Sequence, residues 1–362
     1  MKLVADSGLW RTSGQLAPSP LTALLEVSGA VLSWPVDDGS APVTITFTDF
    51  ARADWLWRVL GESGHIAVAS ALDMLTPDDA RTVELTDVVV RAEAVDPLRR
   101  LAVGHWLRRW WPASQRDGIA ALDNTLLDGE IALLTAAADE FFSDDTFDSD
   151  IGSLLAPHVS ALQDHAHHGD PRIIELVRAC MDLAEDIGIA TTHEPTAHPR
   201  RDDYALAAGN GRSQSGGAVA TGTASMNWSA VPPGIFDAAE NTVDWRVDLS
   251  GPDANALVRT ELAGMGSAAG ISVHLRSGPF SGAGILDAGG AARFQLLDPD
   301  NRSIGETAAW NHDWRMTRVT IGADVEESAD IRQRVRAFAR ARLTQPGADA
   351  FLAEILAAES DY

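Results

Sequence analysis

The densest cluster of side chains able to bind a metal or move a proton is His158 followed by Asp164-His165-Ala166-His167-His168. On a helix, seven residues would separate His158 from His165 by about 10 Å. That is too far for two imidazoles to share one zinc at about 2 Å each. His165 and His168 lie one turn apart and are the weak metal candidates, with Asp164 four residues before His168. Histidines at a helix C-terminus are also favoured by the helix dipole alone, and no His-Glu-x-x-His motif adds to the metal reading. The bland account is preferred, and no cofactor is expected.

Glu130 is the weak candidate for a catalytic acid. It sits among Leu126, Leu127, Ile131, Leu133 and Leu134, company that would raise the pKa of a carboxyl group. With no second group placed beside it, an exposed or arginine-paired glutamate is the simpler reading. The acidic run Asp144 to Asp150 invites comparison with a calcium loop, but counting from Asp148 puts Ser153 at the sixth position and Val159 at the twelfth. Both the glycine and the glutamate that such a loop needs are missing.

Rare residues exclude more than they suggest. Lys2 is the only lysine, so internal Schiff-base chemistry, a Walker A loop and the strand lysine of protein kinases are ruled out. Cys180 is the only cysteine. It continues the stripe Ile173, Val177, Ala184 and reads as a small core residue. The nearest glycine fingerprint, Gly264 to Gly270, has one residue too many and runs into a strand-like stretch at 271–275 where a dinucleotide site needs a helix.

Two arginine-bearing segments carry the recognition signal. In the first, Ile331 to Leu343 hold five arginines and no acid; Arg332, Arg336 and Arg340 recur every four residues as one ridge. Their mutual repulsion calls for carboxylates or phosphates opposite. In the second, Trp106, Arg109, Trp110 and Trp111 combine the residue types enriched in binding hot spots. These seven residues are the expected interaction surface, each set against the alternative of internal pairing or core packing.

The elements that would position these groups change character along the chain. Residues 1–95 read as a mixed α/β unit. The opening to about Pro20 looks irregular, Val43-Thr-Ile45-Thr-Phe47 alternates as a strand, and Phe50 to Leu60 looks like a Trp-bearing helix. Further strands are expected at 66–71, 82–85 and 88–90. Residues 96–190 read as an antiparallel helical bundle. Asp96-Pro97 and Asp170-Pro171 look like N-caps followed by a first-turn proline, and a single helix is expected from Ile151 past His165. Residues 191–217 read as a linker, and 218–325 as a β-sandwich of short alternating strands. Two C-terminal helices (326–362) follow, split at Gln345-Pro346-Gly347. The expected class is therefore α+β, multidomain.

At 362 residues, 45% hydrophobic and 22% charged, the chain has enough apolar content for two or three folded units. Acids outnumber bases 52 to 28, a formal charge of −24. Such a field repels polyphosphate and anionic lipid, so neither nucleic acid nor membrane is an expected partner. The start lacks an apolar run before Asp6, and a cytoplasmic location is expected. The leading expectation is a non-catalytic interaction or scaffold component of a cytoplasmic multiprotein system with an acidic protein partner. The alternatives are an enzyme of unfamiliar type using carboxylate, arginine and histidine chemistry, and a small-anion sensor built on the Arg332–Arg336–Arg340 ridge.

Overall fold

A computed structural model describes residues 1–12, 16–74, 82–139, 141–142, 148–167, 169–190, 218–264 and 266–360. The expected linker, His168 and positions 143–147 of the acidic run lie outside these residues. In chain order the first elements are β1 (Lys2–Asp6), β2 (Leu9–Thr12), β3 (Thr22–Val27), β4 (Ala30–Pro35), β5 (Thr44–Phe47), α1 (Leu56–Met74), β6 (Thr82–Glu84) and α2 (Ala92–Trp110). The helices α3 (Asn124–Asp139), α4 (Asp148–Leu155), α5 (Val159–Ala166) and α6 (Pro171–Asp186) follow. Next come β7 (Ala220–Ala224), β8 (Val243–Ser250), β9 (Asp253–Thr260), β10 (Ser272–Ser277), β11 (Phe280–Ile285) and β12 (Ala291–Gln295). The last are α7 (Glu306–Asn311), β13 (Arg318–Ile321), α8 (Ala329–Thr344) and α9 (Leu352–Ser360).

The chain is thus mixed α+β, with three antiparallel sheets among the described residues. It divides into two compact units. Met1–Trp111, Leu122–Thr192 and Asp330–Tyr362 form the first, Pro112–Ala121 and His193–Ala329 the second. The helices α2 to α6, α8 and α9 belong with the N-terminal sheet. No helix of the described residues is long and apolar enough to cross a membrane.

In the first unit the sheet order is β3-β4-β5-β2-β1-β6. Along β3, Ala23, Leu25 and Val27 are buried while Leu24 and Glu26 are exposed, the two-residue period of a strand covered on one side. Gly29 turns β3 into β4 with φ +72°, and a Cβ there would lie 2.1 Å from the Asp49 carbonyl oxygen. Only glycine fits. The buried face of β3 meets α2, and α2 in turn packs on α3. Gly104 permits that approach: a Cβ on it would stand 2.8 Å from both Ile131 and Phe351. Around α3 are gathered α4, α5, α6 and α9.

The second unit has two sheets, ordered β12-β9-β8-β7 and β11-β10-β13. Phe294 of β12 packs on β11, where Gly282 and Gly284 leave room; a Cβ at these positions would come within 2.8 and 2.5 Å of its ring. Segment 112–121 is fastened to this unit by the buried Asp237. Its carboxylate accepts from Ser114 Oγ at 2.6 Å, Gln115 N at 2.8 Å and Ala239 N at 2.9 Å, with Arg116 N at 3.4 Å.

Several local expectations are corrected. The opening is not irregular throughout, since Lys2–Asp6 and Leu9–Thr12 are paired strands. Residues 66–71 are helical, within α1; the alanines alternating with Ile66 and Val68 favour helix over strand. Residues 88–90 form no strand. Pro97 lies inside α2, whose N-cap is Arg91. The single helix expected from Ile151 is two, α4 and α5, because Pro157 between them has no amide to continue the ladder. Asp170 does cap α6, accepting from Arg172 N with Pro171 in the first turn.

A candidate arginine-railed cleft

The sequence-derived candidates of the first unit are largely committed to its interior. Trp106 is buried against Phe338 and donates its Nε1 hydrogen to the Pro20 carbonyl. Arg109 covers the Trp110 ring with its guanidinium 4.1 Å from the centroid, and both are half-buried, as is Trp111. Arg332 and Arg336 are buried, at 5% and 6% exposure, and only Arg340 of the ridge is exposed. All three interact within the chain. A guanidinium removed from water requires partners in place, so the four-residue spacing describes a packed helix face here and not an open ridge.

Glu130 likewise has fixed partners. Its carboxylate pairs with Arg100 and accepts from Leu352 N at 2.8 Å, so it joins α2, α3 and the start of α9. Burial raises its pKa, against the opposing pull of the Leu352 amide and Arg100. Nearby Cys180 is fully buried, and burial, reinforced by Glu130, pushes its thiol up to about 12. A thiol so protonated is no nucleophile. A second clasp repeats the pattern: Glu354, with no exposed surface, receives Arg342 and the Phe351 amide, the latter at 2.9 Å.

The histidines resolve into two separate pairs. His158 precedes α5, with Nε2 3.0 Å from Asp128 Oδ2, while His165 Nε2 lies 3.0 Å from Asp123 Oδ2. Asp128, buried on α3, also pairs with Arg108 at 2.9 Å. The Thr125 hydroxyl is 3.4 Å from His158 Nδ1, so hydroxyl, imidazole and carboxylate fall in series. This order is that of a nucleophile, its base and an orienting acid. Acyl transfer also needs amides for the developing oxyanion. Those of Thr125 and Leu126 already donate to Asp123 Oδ1, at 2.9 and 3.1 Å. The constellation joins the start of α5 to α3. Sequence reasoning marked His158 and His165 but missed Asp123 and Asp128, whose positions before and within α3 are the available signal. Among the described residues no group of three or more potential ligands could hold a metal ion.

A different set of arginines faces outward in the second unit. Strand alternation places Val243, Trp245 and Val247 of β8 inward, with Asp244 exposed and Arg246 half-buried between them. Pairing registers align two cross-strand rows on the outer face. The first row runs Thr221, Arg246, Leu257, Arg293; the second runs Thr223, Asp244, Arg259, Ala291. Between these rails lies a cleft of about 590 Å³, touching β7, β8, β9 and β12. Gly222 lets the edge strand settle on Trp245: a Cβ there would be 2.4 Å from the indole.

Electrostatics distinguishes the three bases. Arg246 is held by Asp248, two residues along the same face, with Nε 2.6 Å from Oδ2. Asp248 Oδ1 is buried without a hydrogen bond among the described residues. Arg259 and Arg293 are exposed, and neither has an ion pair among the described residues, although Asp244 stands opposite Arg259 in the register. They are surplus donors on a chain of formal charge −24. The alternating segments around Arg246 and Arg293 were readable as strands, while the strand that carries Arg259 was not; the alignment of all three depends on register, which one sequence does not disclose. Compared with known proteins, the chain matches no family model, no curated protein and no solved structure.

Proposed function

We propose that this chain is a non-catalytic interaction component of a cytoplasmic multiprotein system, and that it receives an acidic protein partner on the outer face of the β12-β9-β8-β7 sheet. The observation that carries this reading is the pair Arg259 and Arg293, exposed and without ion pairs among the described residues; Arg259 lines a cleft of about 590 Å³, and Arg293 stands on the adjoining strand β12. Arginine is suited to the task because its planar fork binds carboxylates in two places and is weakly hydrated. In this reading the two sheets of the second unit form a recognition sandwich, and the helices of the first unit form a bundle that stabilises the assembly. The overall negative charge repels an acidic partner at long range, so affinity comes from short-range contacts inside a Debye length of about 8 Å.

The test is a tagged pull-down from native-host lysate at moderate salt, read by mass spectrometry. A stoichiometric partner retained by the wild type and lost on Arg259→Glu with Arg293→Glu supports the reading. Retention of the same partners by the variant overturns the assignment of the face. An enzymatic alternative attaches to the Thr125–His158–Asp128 series. If it holds, a broad esterase and amidase screen will find an activity that Thr125→Val removes. Of the ridge behind the small-anion sensor reading, Arg332 and Arg336 are buried and Arg340 is exposed.

A further inference from the structure

Resting on that assignment of the face, we infer how the partner lies on it: as an extended acidic segment running across the strands, with carboxylates at alternate positions. The cleft spans the sheet from β7 to β12. Its length is therefore set by strand spacing, about 14 Å for three intervals of about 4.8 Å. The bases step in the same direction. Arg246, Arg259 and Arg293 stand on β8, β9 and β12, which are successive neighbours in the sheet. They advance roughly 5 Å per strand, about 10 Å in all.

An extended chain rises about 3.3 Å per residue and returns its side chains to one face every second residue, about 6.6 Å apart. Three alternating acids thus span about 13 Å, matching the trough; two of them meet Arg259 and Arg293, and the third lies toward Arg246, whose guanidinium is shared with Asp248. Contiguous acids do not match, because every second carboxylate would point away from the sheet. The remaining polar groups suit a peptide backbone. Thr221, exposed at the edge strand, can donate to a carbonyl oxygen, and Asp244 can accept from an amide. A folded acidic domain would meet the rails only at their tips and would leave the floor between them empty.

The experiment uses the full chain and two fluorescein-labelled seven-residue peptides of identical composition. One has aspartate at its second, fourth and sixth positions with glycine elsewhere; the other has the three aspartates together. Anisotropy titrations are run on the wild type, on Arg259→Glu and on Arg293→Glu. Arg246 is left alone because its loss would strand the buried Asp248. The expected result is about tenfold tighter binding of the alternating peptide, with each charge reversal removing about tenfold or more. Equal binding of the two peptides, lost on Arg259→Glu, overturns the crossing geometry and leaves the recognition face standing. Binding of neither peptide, while the lysate partner is still captured through Arg259 and Arg293, likewise overturns the extended segment alone. Indifference of both peptides and the lysate partner to both reversals overturns the face together with the segment.

Discussion

The arginines of α8 and those of the four-stranded sheet are the same chemical group in opposite circumstances. On α8, Arg332 and Arg336 are enclosed and Arg342 is only 11% exposed in its pair with Glu354. On the sheet, Arg259 and Arg293 stand in solvent with no ion pair among the described residues. On α8 the basic face includes enclosed positions, and a guanidinium there must be neutralised by neighbours. A strand sends alternate residues to one side, so bases on paired strands collect on one face without entering the core. Arg332 and Arg336 therefore belong to the interior of the first unit, whereas Arg259 and Arg293 stay on an outer face of the second.

That contrast can be broken most severely in the first unit. Glu354→Ala removes the fully buried partner of Arg342, leaving it the exposed Asp349, and also leaves the Phe351 amide without its acceptor. We expect a loss of about 3–5 kcal/mol in urea unfolding, with Glu354→Gln losing less because an amide oxygen can still receive Phe351 N–H. A loss below about 1 kcal/mol would show that the apolar contacts of α9 suffice and that the enclosed bases are incidental. In the second unit, Gly222→Ala drives a methyl group into the Trp245 ring, and about 1–3 kcal/mol should be lost. Unchanged stability would mean that β7 can lift from the sheet without penalty.

Smaller effects sharpen the comparison. Arg259→Glu and Arg293→Glu should each alter stability by no more than about 0.5 kcal/mol while abolishing partner capture; a larger loss of stability would place these residues with the structural arginines. Smallest is the acid response at the start of α6. Asp170 caps that helix and pairs with Arg172, whose hydrogen bonds hold the carboxyl down at about 2. A depressed native pKa stabilises the fold above the unfolded value of about 3.9 and ceases to do so as pH falls toward 2. The difference between wild type and Asp170→Asn in thermal unfolding should therefore shrink from pH 5 to pH 2. A constant difference would assign the effect to capping geometry and not to charge.

Much of the secondary structure was legible because it rests on local rules. Asp170-Pro171 opened a helix, and Gln345-Pro346-Gly347 separated two. Failures occurred where a local rule competed with its surroundings. Pro97 was read as a first-turn proline although α2 begins at Ala92, and Pro157 was overlooked in favour of the apolar period running through it. The site was less legible than the fold. Glu130 was marked for its apolar neighbours, but its partners Arg100 and Leu352 lie 30 and 222 residues away. The rails demand three strand registers at once, and none of these is written within any one strand.

Asp237 bears on how the protein can be dissected. Ser114, Gln115 and Arg116 supply three of the four hydrogen bonds to its carboxylate, yet they precede it by more than a hundred positions and are flanked on both sides by the other unit. A fragment starting at residue 218 would carry a buried anion stripped of most of its donors, and would be expected to aggregate or fold poorly. The smallest autonomous version must graft 112–121 back, for example as an N-terminal extension or through circular permutation. During synthesis the same segment leaves the ribosome long before its acceptor exists. These hydrogen bonds can therefore close only after Asp237 has been translated.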